Sequence, residues 1–217
     1  MIINLEKPTI KKNVYDALYE DIVEGRYNVH DILTEGMLTE KYGVSKSPVR
    51  EALIELCKDK TLRSIPRMGY QILPISLKDV IDVLDYRVDL EVCNLRRAFE
   101  HFGEKEIENL LSISSDPVSG HDREVMPNWL LNQHFHLEIC RIGGNNYAYQ
   151  MLEATLQRSA RIASQYYKTA WAKASESQGK YHRAIIQSII KHDLPTAEEM
   201  LRKDILVVKH EIMNTLS

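Results

Sequence analysis

Cysteine is scarce and poorly spaced for chemistry: the three in this chain of 217 residues, Cys57, Cys93 and Cys140, form no Cys-x-x-Cys pair. An odd, scattered set excludes a disulfide framework and a zinc ribbon, and it fits a reducing compartment. Long apolar runs are missing too. None exceeds four residues, and the N-terminal stretch has neither a signal-peptide core nor a membrane span, so a cytoplasmic protein with no membrane partner is expected. The short signatures of catalysis are also absent: there is no His-Glu-x-x-His, no phosphate-binding loop and no Gly-x-Ser-x-Gly. Strong overall charge is lacking as well, with a net charge of only -3. What remains, 44% hydrophobic and 27% charged, is the composition of a globular chain long enough for one or two domains.

The near-neutral sum hides a division along the chain. Residues 1–40 carry four basic against eight acidic side chains, whereas residues 41–70 carry seven against three. A cationic stretch suits contact with phosphates, although the swing decides little by itself. Hydrophobic spacing is more informative. Val14, Leu18, Ile22 and Val23 predict a helix over 13–25, with Asn13 as its cap and Gly25 as its stop. Met37, Leu38 and Tyr42 predict a short second helix opened near Thr34 and closed by a tight turn at Gly43. Ser47-Pro48 reads as a hydroxyl cap followed by proline at the first helical position, and Val49, Leu53, Leu56 and Cys57 form the buried stripe of a third helix over 47–59. Two β-like runs, 62–66 and 69–73, are separated by Arg67-Met68, with Gly69 permitting the turn. Three helices and a hairpin in this space is the layout of a winged helix-turn-helix, whose third helix enters the major groove of DNA. A linker after Pro74 sets the expected domains at 1–74 and 75–217.

Beyond Ser76 the strand signals stop. Val80, Leu84, Val88, Val92, Leu95, Phe99 and Phe102 recur every three or four residues, the stripe of one long amphipathic helix capped by Ser76 with Asp79 and ended by Gly103. Further helices are expected over 104–113, 126–142, 147–167, 174–191 and 195–213, with breaks at Asp116-Pro117, Gly143-Gly144-Asn145 and Asp193-Leu194-Pro195. The fold class is therefore mostly α: a winged helix-turn-helix followed by an antiparallel all-α helix bundle.

The start of the third predicted helix carries the most pointed chemistry. Ser45 and Ser47 set hydroxyls beside the free N–H groups of a helix N-terminus, which already favours a phosphate. Lys46 adds a point charge, and Arg50, one turn further, carries a planar fork of donors suited to guanine or to a phosphate. Glu51 and Glu55 are expected to face away from the duplex. A lone Ser-Pro pair is more often a plain helix cap, so it is the ensemble that points to DNA. The segment from Leu38-Thr39-Glu40-Lys41-Tyr42-Gly43 through Val44-Ser45-Lys46-Ser47-Pro48-Val49-Arg50-Glu51-Ala52-Leu53, followed by Arg67-Met68-Gly69-Tyr70, resembles the DNA-binding domain of the GntR family. That resemblance implies that Ser45, Lys46, Ser47 and Arg50 contact double-stranded operator DNA in or near the major groove, with the wing at Arg67 and Gly69 reaching toward the minor groove. Lys46 stands where arginine is often found, which leaves open whether it reads a base or a phosphate. With one helix-turn-helix per chain, a two-fold operator requires a homodimer.

The rest of the chain resembles the FadR-type subgroup, whose C-terminal domain is known as FCD. Arg87-Val88-Asp89-Leu90-Glu91, Asn132-Gln133-His134-Phe135-His136, Gly144-Asn145 and His182-Arg183-Ala184-Ile185-Ile186 carry this likeness over most of residues 79–210. In metal-binding members the ligands are an oxygen donor, a histidine one helical turn later, a histidine on a later helix and another histidine beyond it. Those positions are Asn132, His136, His182 and Asp204 here, so Asn stands for Asp and Asp for His. Asn132 and His136, at i and i+4, share a helix face and can grip one ion. Two imidazoles, one carboxylate and one amide oxygen suit Zn²⁺, Ni²⁺ or Mn²⁺. The alternative is a pair of hydrogen-bonded core histidines in a pocket without metal. Arg87 lies on the buried stripe and needs an anionic partner, either Glu91 one turn on or a bound carboxylate effector. Arg161 is a second effector-binding candidate, and His134, Tyr166 and Trp171 are candidates to line a cavity. Together these features imply a non-enzymatic repressor whose operator affinity is controlled by a small carboxylate effector, with a bound divalent metal. Two alternatives stay open: a DNA-binding dimer with no effector, and a metal-dependent hydrolase, against which the missing catalytic signatures speak.

Overall fold

The structure, a computed structural model, describes residues 9–114, 125–167 and 171–216. The chain divides into two compact units, residues 1–74 and 75–217. In the first, the elements run α1 (Ile10–Val23), β1 (Ile32–Leu33), α2 (Glu35–Tyr42), α3 (Lys46–Lys58), β2 (Leu62–Ile65) and β3 (Gly69–Ile72).

Helix α1 starts before the expected cap at Asn13, because Thr9 adopts extended backbone and its hydroxyl accepts from the Lys12 N–H at 3.2 Å. Asn13 therefore lies inside the helix. Val14, Leu18 and Ile22 of α1 are buried, and α1 packs against α3, whose Val49, Leu53 and Leu56 are fully enclosed. Removing each such leucine from water contributes roughly 1.5–3 kcal/mol. Asp21 ties α1 to α2: Lys41 Nζ at 2.6 Å and the Tyr42 hydroxyl at 2.5 Å donate to one of its oxygens, and Arg26 donates to the other. Burial alone would raise the Asp21 pKa, but these three donors hold it below the ordinary carboxylate value. Gly43 closes α2 in the left-handed region at φ 64°, its N–H bonded to Thr39 O at 3.0 Å. Helix α3 then begins at Lys46, with Ser45 at the cap position rather than the expected Ser47. Pro48 is thus the third helical residue, which is tolerated because first-turn N–H groups have no intrahelical partner.

Strand β1 is an addition to the expected hairpin. It pairs antiparallel with β3 and gives the sheet order β1-β3-β2. Gly69, at φ 135°, lets β3 pass close to β1: a Cβ there would lie 2.4 Å from Leu33 O.

The second unit holds α4 (Leu77–Ala98), α5 (Glu104–Ser114), α6 (Val125–Ile142), α7 (Asn146–Tyr167), α8 (Trp171–Ile190) and α9 (Leu194–Leu216). Ser76 and Asp79 form the capping box that their spacing predicts. The helix is shorter than expected, because Phe99–His101 tightens into a 3-10 turn ahead of Gly103. Val80, Leu84, Val88, Val92 and Leu95 are buried, and α4 packs against α6, α7 and α9, while α8 pairs with α9. Asp193 caps α9 by accepting from the Thr196 N–H at 3.1 Å. The break expected at Asp116-Pro117 lies outside the described residues. Among the described residues, no helix is long and apolar enough to cross a membrane.

Candidate nucleic-acid interface and buried ligand site

The two candidate sites lie in different units and have opposite characters. In the first unit, Ser45, Lys46, Ser47 and Arg50 are all exposed at the start of α3. Ser45 makes no side-chain capping bond, so its hydroxyl is not committed to the helix. Ser47 Oγ donates to Glu51 Oε1 at 3.0 Å, which keeps Glu51 beside this surface instead of turned from it. Glu55 does turn away, pairing with Lys11 of α1. Among the described residues, Lys46 and Arg67 have no ion-pair partner, whereas Lys41 is committed to Asp21 and Arg63 Nε donates to Gln71 at 2.8 Å. Arg67 occupies the exposed turn between β2 and β3 at φ 65°, next to Gly69.

Arg50 has a partner that the sequence reading missed. Its Nε and Nη2 donate to the two carboxylate oxygens of Glu35, each at 2.8 Å. Arg50 stays 58% exposed and Glu35 24%, so the pair remains at the solvent boundary. The Arg50 hydrogen bond holds the Glu35 pKa below its ordinary value.

In the second unit, α4, α6, α8 and α9 converge on a buried polar cluster. Arg87 Nε donates to Glu91 Oε1 at 2.7 Å within α4. Glu91 Oε2 lies 2.5 Å from His136 Nδ1 on α6, and His136 Nε2 lies 3.1 Å from Asp204 Oδ2 on α9. His182 Nε2 on α8 is 3.6 Å from the same Asp204 oxygen, too far for a hydrogen bond. Phe135 stacks on the His182 ring, with centroids 3.8 Å apart, and fixes its plane. Asn132 is buried one turn before His136.

Charge inside this cluster is tightly matched. Burial disfavours the His136 imidazolium, but the Glu91 charge and the contacts to Asp204 and Glu91 outweigh it and raise its pKa to about 9. Burial lowers that of His182. Burial would raise the pKa of Asp204, but its histidine contacts hold it well below the usual range, and Arg87 with His136 does the same for Glu91. Without a metal, then, Arg87 and a protonated His136 balance Glu91 and Asp204.

Several polar atoms in the cluster have no hydrogen-bond partner although they are buried: Arg87 Nη2, Asn132 Oδ1, His182 Nε2, Asp204 Oδ1 and both ring nitrogens of His136, which face their carboxylates as ion pairs without hydrogen-bond geometry. Leaving such groups unsatisfied costs about 1–3 kcal/mol each, so a set of them in one cluster points to something that binds there. Ligand atoms of His136, His182 and Asp204 lie within 4.8 Å of one another, close enough to share one cation. The donor set fits a divalent metal. The Glu91 carboxylate beside His136 Nδ1 would favour the proton on that nitrogen and free the Nε2 lone pair for the ion, as in the carboxylate–histidine arrangement common around protein metals.

The remaining expected residues lie on α6, α7 and α8. Arg161 is buried on α7, with 5% exposure. His134 is exposed. The Tyr166 hydroxyl donates to Ile75 O at 2.6 Å. Gln165 grips the same residue from both sides, accepting from Ile75 N at 2.8 Å and donating to Ile75 O at 2.7 Å. The side chain of Trp171 lies outside the described residues.

Comparison with known proteins matches residues 10–72 to the model described as "Bacterial regulatory proteins, gntR family", and residues 82–206 to the FCD domain. The chain is similar to the HTH-type transcriptional repressor GlaR of Escherichia coli K12, at 24% identity over 88% of this chain and 90% of that one. It is also similar to the gluconate operon transcriptional repressor of Bacillus subtilis, at 34% identity over 49% of this chain and 42% of that one. Among solved structures, E. coli McbR/YncC shares the fold with a TM-score of 0.78 at 16% identity, covering 96% of this chain and 99% of that chain.

Proposed function

Because the chain belongs to the GntR family of bacterial regulatory proteins and carries an FCD domain, whose members are DNA-binding regulators and not enzymes, we propose that it is a cytoplasmic, homodimeric repressor in which the buried cluster of residues 75–217 controls operator binding by residues 1–74. The observation that carries the control is the set of unpartnered buried atoms around His136, His182 and Asp204.

Operator contact falls to the α3 start. The helix N-terminus and the Ser45 hydroxyl suit a phosphate, Lys46 adds charge, and Arg50 is the base-reading candidate. Arg67 beside Gly69 carries the wing toward the minor groove. With one helix-turn-helix among the described residues of each chain, a two-fold operator is the work of two copies.

In the second unit, Asn132, His136, His182 and Asp204 would hold Zn²⁺, Ni²⁺ or Mn²⁺. A bound divalent ion supplies positive charge and open coordination positions for effector oxygens. Glu91 orients His136 through Nδ1. Arg87 reaches Glu91 with Nε and keeps Nη2 without a partner, which suits one oxygen of a carboxylate effector; Arg161 is a second contact. The pairing with Glu91 and the contact to an effector are compatible, because they use different nitrogens.

Coupling runs along α7. Arg161 and Gln165 are one turn apart on that helix, and Gln165 with Tyr166 holds the backbone of Ile75, the residue after Pro74. A shift of α7 on effector binding moves that anchor, and effector occupancy then biases the population of DNA-competent dimers. Calorimetry of the full chain with Zn²⁺, Ni²⁺ or Mn²⁺, followed by a panel of small carboxylates, tests the sensing half: ligand-dependent stabilisation is expected. A melting temperature unmoved by every ion and carboxylate favours a DNA-binding dimer that senses nothing.

A further inference from the structure

Resting on the proposed reading of operator DNA by α3, the geometry points to Glu35 as a specificity-determining positioning residue: it braces Arg50 so that the guanidinium presents one fixed edge to a guanine. Both oxygens of Glu35 are used, on Nε and on Nη2 of Arg50, at 2.8 Å each. That edge of the fork is closed. A guanidinium has five N–H groups, so the two on Nη1 and one on Nη2 remain, and the parallel N–H pair at the tip matches guanine O6 and N7.

The brace is better rooted than the group it holds. Glu35 is in the first turn of α2, where the helix N-terminus favours its charge and the Thr34 hydroxyl caps the turn by accepting from Met37 N at 3.2 Å. Arg50 projects from α3 with 58% of its side chain exposed. An unbraced arginine there samples many rotamers and takes a phosphate as readily as a base. With Glu35 in place, the end-on approach is set before DNA arrives. Helix α2 thus takes part in base reading although its own residue makes no base contact.

Two other roles make different forecasts. A lock that blocks Arg50 until DNA displaces it predicts tighter binding to every sequence when Glu35 is removed. A purely structural pair predicts lower thermal stability and uniformly weaker binding, with the sequence preference unchanged.

The test is selection of duplexes from a random library by the full chain as wild type, Glu35→Gln, Glu35→Ala and Arg50→Ala, followed by salt titrations on the selected duplex. Wild type is expected to require a G·C pair at one position per half-site, and Arg50→Ala to lose that preference. Both Glu35 variants should reduce it by about 10-fold, within the range of one bidentate base contact. Their salt dependence should steepen by about one phosphate as the freed guanidinium turns to the backbone. Unchanged preference in both Glu35 variants, or a uniform gain in affinity, overturns the brace. A wild-type motif that survives Arg50→Ala overturns it too while leaving operator binding standing, whereas no enrichment by the wild type overturns the DNA reading itself.

Discussion

Replacing Asp204 by Asn keeps the shape of the side chain and removes the carboxylate that faces both His136 and His182. In the metal-free chain Asp204 is one of two buried anions that balance Arg87 and protonated His136. Removing one partner of a buried ion pair typically costs about 3–5 kcal/mol. The lower end applies here, because Glu91 still holds His136 Nδ1 and His136 can shed its proton. A loss of about 3 kcal/mol corresponds to about 6–12 °C in melting temperature for a unit of this size. The ion response changes as well. At an ion concentration 100 times its dissociation constant, the wild type gains about 2.7 kcal/mol, or roughly 5–10 °C. Asp204→Asn should lose most of that gain, since the only carboxylate of the four ligand positions is gone. Differential scanning calorimetry of both proteins, stripped with chelator and then loaded with Zn²⁺, Ni²⁺ or Mn²⁺, reads both effects. An Asp204→Asn variant that melts with the wild type when stripped, and rises as much on loading, refutes the charge balance and the ligand role together.

Arg50→Ala should weaken binding to the selected duplex by about 5- to 150-fold, with little effect on non-specific DNA, as measured by fluorescence anisotropy. Gly69→Ala sets a Cβ 2.4 Å from Leu33 O at φ 135°, so a cost of roughly 1–3 kcal/mol to the first unit is expected in denaturant melts, with weakened operator binding. Leu53→Ala, which truncates a fully buried side chain of α3, should cost about 2–5 kcal/mol in the same melts. Gln165→Ala removes two hydrogen bonds from the Ile75 backbone, leaving the one from Tyr166, and should keep ion-induced stabilisation intact while reducing the effect of ligand on operator affinity.

Much of this was legible in the sequence because the deciding signals are local. Gly43 next to a serine-rich, cationic helix start, a hairpin turn at Gly69 and the four-residue spacing of Arg87 with Glu91 or Asn132 with His136 can be read within a few residues. The misjudged features depend on distant partners or on competition between neighbours. Strand β1 has only two residues and exists because β3 pairs with it. Thr9 outcompeted Asn13, and Ser45 outcompeted Ser47, where two residues of capping type stand close together. Glu91 was legible as the partner of Arg87, but its contact with His136 joins two helices, and nothing in either segment marks it. The Glu35–Arg50 pair is hidden in the same way, across the turn between α2 and α3. The hydrogen bond from Tyr166 to the Ile75 carbonyl is likewise hidden, because a backbone acceptor 91 residues away leaves no mark on either segment.

The central claim is that occupancy of the buried cluster and binding of DNA are linked. Isothermal titration with Zn²⁺, together with whichever carboxylate raises the melting temperature most, should be run on the full chain with and without saturating selected duplex. Linkage predicts ligand affinities that differ by about 5- to 150-fold between the two titrations, and the same factor in DNA affinity when the experiment is reversed. Equal ligand affinity in the presence and absence of DNA contradicts the account.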